Sequence, residues 1–468
     1  MAGERGYKYA AVPTGEAAAQ SSNSLQGPLR GQRRQTLQKI AMVAALLLSW
    51  GQYSPFFWAE SSTSPEIPKQ CDATFVQVLS RHGSRGPTTG KLLLYAATLA
   101  RLQSRVTHYA KGFEFIKDFE VDLEPDQLTW YGEKEMVDSG EYLSQWYADL
   151  ARGAGPFVRG SGSERVIASA VNFTQGFYGA QDRNWADHAE EILVIPEKVG
   201  YNNTLDHGGC AYFEDGPGRA LGIAKQHEWR DQWAPAIQER LNRKLQNADL
   251  SIDETIHIME LCPFITVASR DLEMSKFCSL FTESEWQDYD YYQSIEKWYV
   301  YGPGRELGPT QGVGFVNELI ARLTGKAVDD HTSTNSTLDS SPTTYPLDRK
   351  MYADFSHDNT MMAIYAAMGL YNTTGNLPVD HRVPPQELSG YSAAWAVPFG
   401  GRVYVEKMTC SDSEDDEELV RVIVNGRVVP LQGCGADALG RCRLSAFVES
   451  LSFARAGGRW SECEAAIE

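Results

Sequence analysis

The chain has 468 residues, enough for one large core or two lobes. Hydrophobic residues make up 42% and charged residues 22%, an ordinary balance for a globular protein. The formal net charge of −18 argues against nucleic acid or anionic lipid as a partner, and leaves any attraction for a polyanion to a local basic site.

Residues 1–38 are rich in Ala, Gly, Ser and Gln and cannot bury enough surface to fold, so they read as a disordered tail. No charged residue occurs from Ile40 to Ala59, a length of about 20 that can span a bilayer. Basic residues precede it and Glu60 follows, which predicts a signal anchor over 39–59 with a cytoplasmic N-terminus and a membrane contact there. A cleaved signal segment, giving a secreted product, is the alternative. Residues 60–70, with Pro65 and Pro68, read as a linker to a folded unit over 71–468.

In that unit Phe75-Val76-Gln77-Val78-Leu79 predicts a buried strand that stops in Ser80-Arg81-His82-Gly83-Ser84-Arg85-Gly86-Pro87. Guanidinium forks at Arg81 and Arg85, flanking His82, suit a cage for phosphate oxygens. Helices are expected over Leu92–Leu99 and Glu133–Leu150, then a strand at Phe157-Val158-Arg159 and a helix after Ser163. The stretch from about 205 to 300 carries Trp, Tyr and charged residues at helical spacing and predicts a mainly helical lobe. A further helix is read at Val316–Leu323, and residues 326–345 as an exposed polar loop. Met351–Phe355 reads as a strand and Thr360–Leu370 as a helix, which sets His357-Asp358 at a strand-to-helix junction, where open α/β sheets build sites. Arg402–Lys407 is a predicted strand, and Asn425-Gly426 within Val422–Val429 is a hairpin signal. The acidic run Asp412–Glu418 reads as a solvated loop.

Eight cysteines, with no CxxC pair, stand at Cys71, Cys210, Cys262, Cys278, Cys410, Cys434, Cys442 and Cys463, which favours disulfides over zinc but leaves the connectivity open. Sequons at Asn172, Asn202, Asn335 and Asn372 agree with a luminal or extracellular route through the secretory pathway.

The blocks Arg81-His82-Gly83-Ser84-Arg85-Gly86-Pro87, Phe157–Val166 and Asp354–Thr360 resemble the histidine acid phosphatases, fungal phytases above all, over about Cys71 to Cys463. The resemblance implies an α/β fold with a central mixed sheet flanked by helices and a smaller, mainly helical domain. It implies a monomeric enzyme, with neither cofactor nor metal, that releases phosphate from phytate and from other phosphomonoesters; a broad-specificity acid phosphatase with little phytate preference is the alternative. It assigns His82 as nucleophile, Asp358 as proton donor, and Arg81, Arg85, Arg159 and His357 as phosphate ligands. Bridges are implied at Cys71–Cys410, Cys210–Cys463, Cys262–Cys278 and Cys434–Cys442; the family's usual extra pair near the mature N-terminus has no counterpart. Such phytases carry several lysines just after the first motif. Here Lys91 is followed by three leucines, so Lys91, Lys111 and Lys117 are the expected contacts to outer phosphates, and preference for phytate is expected to be weaker.

Two rivals remain at this level. An intracellular mutase-like enzyme also uses an Arg-His-Gly histidine, and the hydrophobic segment, sequons and cysteines oppose it. A cell-surface glycoprotein that keeps the fold but only binds is opposed by the presence of all six expected polar side chains.

Overall fold

The computed structural model describes residues 47–189, 191–413 and 417–464. In chain order the main elements are β1 (Cys71–Arg81), α1 (Thr89–Arg105), α2 (Trp130–Trp146), β2 (Phe157–Ser161), α3 (Glu164–Gly179), β3 (Leu193–Ile195), α4 (Pro217–Lys244), α5 (Ile252–Ala268), α6 (Glu283–Glu296), α7 (Val313–Thr324), β4 (Met351–Ser356), α8 (Asp358–Ala367), β5 (Arg402–Cys410), β6 (Leu419–Val424), β7 (Arg427–Val428) and β8 (Arg441–Arg443).

Eight strands form one mixed sheet in the order β8-β6-β5-β1-β4-β2-β3, with β7 beside β6. β1, β4, β2 and β3 run parallel, whereas β5, β6, β7 and β8 pair antiparallel. The central strand β1 is buried from Phe75 onward, because helices cover both faces. On one face α2 and α3 close over Val76 and Val78 with Met136, Leu143, Phe173 and Phe177. On the other, Phe75 and Leu79 join a larger core that runs without a break into α4, α5 and α6 through Trp229, Met259 and Trp286. The 205–300 stretch is therefore mainly helical, as its spacing predicts, and shares its core with the sheet. Capping boxes at Ser251/Glu254 and Thr282/Glu285 start α5 and α6. At the predicted hairpin Asn425 and Gly426 both take positive φ, 49° and 83°, the backbone of a type I′ turn.

The four implied bridges are present: Cys71–Cys410, Cys210–Cys463, Cys262–Cys278 and Cys434–Cys442. The first joins directly opposed residues of β1 and β5, and the second ties the region before α4 to the C-terminal segment.

The membrane span expected over 39–59 is corrected in its second half; its first residues lie outside the described ones. Trp50 and Tyr53 are buried, the first against Trp286 (6.1 Å between ring centres) and the second against Phe264 (4.7 Å). The backbone is tied down as well: Ala59 N donates to Asn425 O (2.8 Å) and Phe399 N to Ser54 O (2.9 Å). Absence of charge marks a core segment as well as a bilayer segment, and here the aromatic side chains have protein partners. Among the described residues no helix is long and apolar enough to cross a membrane. The stretch read as a linker is also fixed, since Arg421 donates to the carbonyls of Pro65 (2.9 Å) and Glu66 (3.1 Å).

Candidate active site

β1 and β4 are adjacent and parallel, and their last residues, Arg81 and Ser356, stand in register. The chain therefore delivers His82 and His357-Asp358 side by side at the carboxyl edge of the sheet. His82 N donates to Ser356 O (3.1 Å) and Gly400 N to His82 O (2.9 Å), which locks the first turn of the loop. Gly83 must lack a side chain, because a Cβ there would lie 2.4 Å from the carbonyl oxygen of Gly132 at the start of α2. The same loop is held from behind by Glu135 of α2, which accepts from Ser84 N (2.7 Å) and from Phe56 N (2.8 Å) of the N-terminal segment.

His82 is buried, and its Nδ1 lies 3.0 Å from Gly83 O. A carbonyl only accepts, so Nδ1 carries the proton and Nε2 keeps its lone pair. Burial, then Arg81, Arg85, Arg165 and His357, hold the pKa of His82 well below the usual histidine value, so the ring stays neutral in mild acid. The His357 ring stands 5.6 Å away at 70°.

Cations surround this pair. Arg81 reaches Val397 O (2.8 Å) and Gln52 O through Nη1, while its Nε lies 3.5 Å from Asp358. Burial lowers its pKa to about 10, with Asp358 opposing and Arg85 adding to the shift, so it remains charged. Arg85 is anchored by Nη1 on Gly86 O (2.7 Å). The buried Nε atoms of Arg81, Arg85 and Arg165 have no hydrogen-bond partner within the protein, though the first lies 3.5 Å from Asp358, and buried donors of this kind suit an anion. Lys297 opens a π turn after α6 and sets its Nζ 2.7 Å from Asp358 Oδ2 and 2.5 Å from Asn359 Oδ1. Burial alone would raise the pKa of Asp358; Arg81 and Lys297 override it and hold the carboxyl well below its usual range.

Arg159 and the three lysines expected at the site have other surroundings, and Arg165 and Lys297 join it unexpected. Arg159 is corrected. It belongs to the body of β2 opposite Asp354, and its guanidinium is fully used by Asp354 (2.9 and 3.0 Å) and Glu318 (3.1 and 2.6 Å) inside the core. The arginine whose charge reaches His82 is Arg165, in the first turn of α3 beyond the strand end, paired at 3.8 Å with Asp126. Its position after the strand was the signal that separates it from Arg159. Lys91, expected at an outer phosphate, is instead gripped by both oxygens of Glu260 (2.8 and 2.7 Å), which also accept from Tyr95 and Tyr289. Lys111 and Lys117 are exposed on a segment that Gln103 ties to α1 through Ile116 O and Phe119 O. Lys297 has no sequence signature, since it sits far along the chain from either motif.

A buried, neutral histidine with a free lone pair, close to arginines and to an aspartate that Lys297 holds, can receive a phosphate-like anion beside a nitrogen able to act as nucleophile. Residues 73–425 match the family described as histidine phosphatase superfamily (branch 2). Phytase A of Emericella nidulans is 49% identical over 424 residues, covering 88% of this chain and 90% of that protein. Phytase A of Aspergillus oryzae is 48% identical over 423 residues, with 88% and 90% covered. The crystal structure of the D. castellii phytase superposes with a TM-score of 0.74 at 22% identity, over 97% of this chain and 93% of that one, a likeness of fold. The chain belongs to branch 2 of the histidine phosphatase superfamily, and the expected fold and phosphomonoester hydrolase class hold with it.

Proposed function

We infer that the protein releases inorganic phosphate from phytate, and from simpler phosphomonoesters, through a phosphohistidine at His82. The observation that carries this reading is the register of β1 and β4, which seats His82 beside Asp358 within a ring of cations. The names of its relatives supply the substrate.

A phosphate monoester resists attack because its charge repels the nucleophile and its alkoxide leaves poorly. Arg81, Arg85, Arg165 and His357 take the non-bridging oxygens and offset the charge. His82 Nε2 attacks phosphorus, the P–O bond to the leaving oxygen breaks, and Asp358 gives that oxygen its proton. Asp358 is ionised while the site holds only cations. An entering phosphate cancels part of the positive field of Arg81 and Lys297, which raises the carboxyl's affinity for a proton at the moment one is needed. Water then hydrolyses the phosphohistidine, with Asp358 as base.

The salt bridge of Lys91 to Glu260 supports a modest preference for phytate, because a cation already neutralised offers little to an outer phosphate. The four disulfides support folding in an oxidising compartment; Asn372 is an exposed sequon, whereas the Asn202 amide donates to Thr334 O (2.8 Å). The test is phosphate release from phytate and from an aryl phosphate across pH, by the wild type and by His82→Ala. Loss of both activities in a folded His82→Ala protein is expected; near-normal turnover would sink the nucleophile assignment.

A further inference from the structure

The four parallel strands each deliver a polar side chain near their carboxyl ends: His82 after β1, His357 after β4, Ser161 at the end of β2, and Glu197 after β3. The last belongs to no motif. Glu197 approaches β2 so closely that a Cβ on Gly162 would lie 2.9 Å from its backbone nitrogen. Its Oε1 accepts from Ser161 Oγ (2.6 Å) and lies 2.8 Å from His357 Nε2. Burial opposes ionisation of Glu197, but the His357 and Ser161 bonds and the charge of Arg165 push its pKa down to about 2. A carboxylate can only accept, so His357 Nε2 carries a hydrogen and is fully engaged.

We propose that Glu197 is a positioning residue for the phosphoryl-transfer reaction: it clamps His357 by accepting from Nε2–H and so presents the ring's other nitrogen, as the Nδ1–H of the imidazolium, to a phosphate oxygen beside His82. Ser161 completes the clamp by holding the carboxylate in the plane it needs. The other charged groups around the pair are Asp206 and Arg165, with His207 next to Asp206 in sequence. Neither Asp206 nor Arg165 shares a hydrogen bond with His357. The inference rests on the function proposed above, yet the clamp itself is a structural fact that can be read without turnover.

The test compares Glu197→Gln, whose amide oxygen still accepts from both Ser161 and His357, with Glu197→Ala and the apolar near-isostere Glu197→Met, which cannot. Phosphate release by the Ala or Met protein is expected to lose about 10- to 100-fold in kcat/KM, carried mainly by kcat, while Gln recovers most of it. In a His357→Ala background the Ala or Met change is expected to add less than about two-fold. The same loss in both backgrounds, or wild-type kinetics in a folded Met variant, would overturn the proposal. Nitrogen-15 spectra of the imidazole, taken without phosphate at alkaline pH where the ring is neutral, give a readout independent of activity: His357 protonated at Nε2 in the wild type and Gln protein, and a tautomer mixture in Ala or Met. An unchanged tautomer in Ala and Met would likewise overturn it. Absence of phosphate release from every ester by the wild type would instead refute the function, with the clamp still judged by the spectra.

Discussion

Replacing Arg159 and Arg165 in turn by Met separates a core arginine from a ligand arginine. Arg159 makes four charge-assisted bonds to Asp354 and Glu318, at 2.9, 3.0, 3.1 and 2.6 Å, with both carboxylates essentially inaccessible. Removing it leaves two buried carboxylates facing one remaining guanidinium, that of Arg322 (2.6 Å from Asp354). Stripping one partner from such a cluster costs about 3–5 kcal/mol. The four bonds are not lost in full, because Asp354 keeps Arg322 and Gln77 and Glu318 keeps Thr204. For a folded unit of roughly 420 residues, that loss lowers Tm by about 3–6 °C. The effect depends on pH in a defined sense. After countering burial, Arg159 and Arg322 hold the Asp354 pKa below its usual value, so the contribution is complete above the unfolded carboxyl pKa of about 4 and is lost as pH falls through the native value. The Tm difference between wild type and Arg159→Met should thus hold steady from neutrality down to about pH 5 and narrow below about pH 4, as pH falls toward the native value. Arg165→Met should behave oppositely, with Tm nearly unchanged and kcat/KM reduced by roughly 10- to 150-fold for a lost contact to phosphate of about 1.5–3 kcal/mol. Calorimetry and initial rates decide. A folded Arg159→Met protein with unaltered Tm and kinetics as poor as those of Arg165→Met would refute the placement of the two arginines.

Asp358→Asn should depress turnover of alkyl phosphates, whose leaving groups need a proton, far more than that of aryl phosphates; equal losses would make Asp358 a binding group. Trp50→Ala, which opens a cavity beside Trp286, should cost about 3–5 kcal/mol of stability. It should also lower kcat/KM well below Tm, because the neighbouring Gln52 carbonyl holds Arg81. Full activity with a reduced Tm would make that segment a brace only. Lys91→Ala should destabilise the fold by leaving Glu260 without its cation, held only by Tyr95 and Tyr289, while keeping the phytate-to-aryl-phosphate ratio of kcat/KM within about two-fold; a larger drop in that ratio would return Lys91 to the substrate pocket.

Local pattern determined much of this protein. The apolar run ending in Arg81-His82-Gly83, the Asp354-to-Asp358 junction and the Asn425-Gly426 turn are each dictated by neighbours in sequence, since strand burial, turn backbone and loop position follow from adjacent residues. Tertiary structure alone decided which charged side chains share a pocket. Arg159 and Arg165 lie in the same motif block, but strand pairing aims one at Asp354 while the strand's end frees the other. Lys297 and Glu197 reach the site from the turn after α6 and the segment after β3, so nothing near either motif announces them. The uncharged stretch before Glu60 was ambiguous for the same reason: a bilayer and a protein core both exclude charge, and only the partners waiting for Trp50 and Tyr53 decide between them.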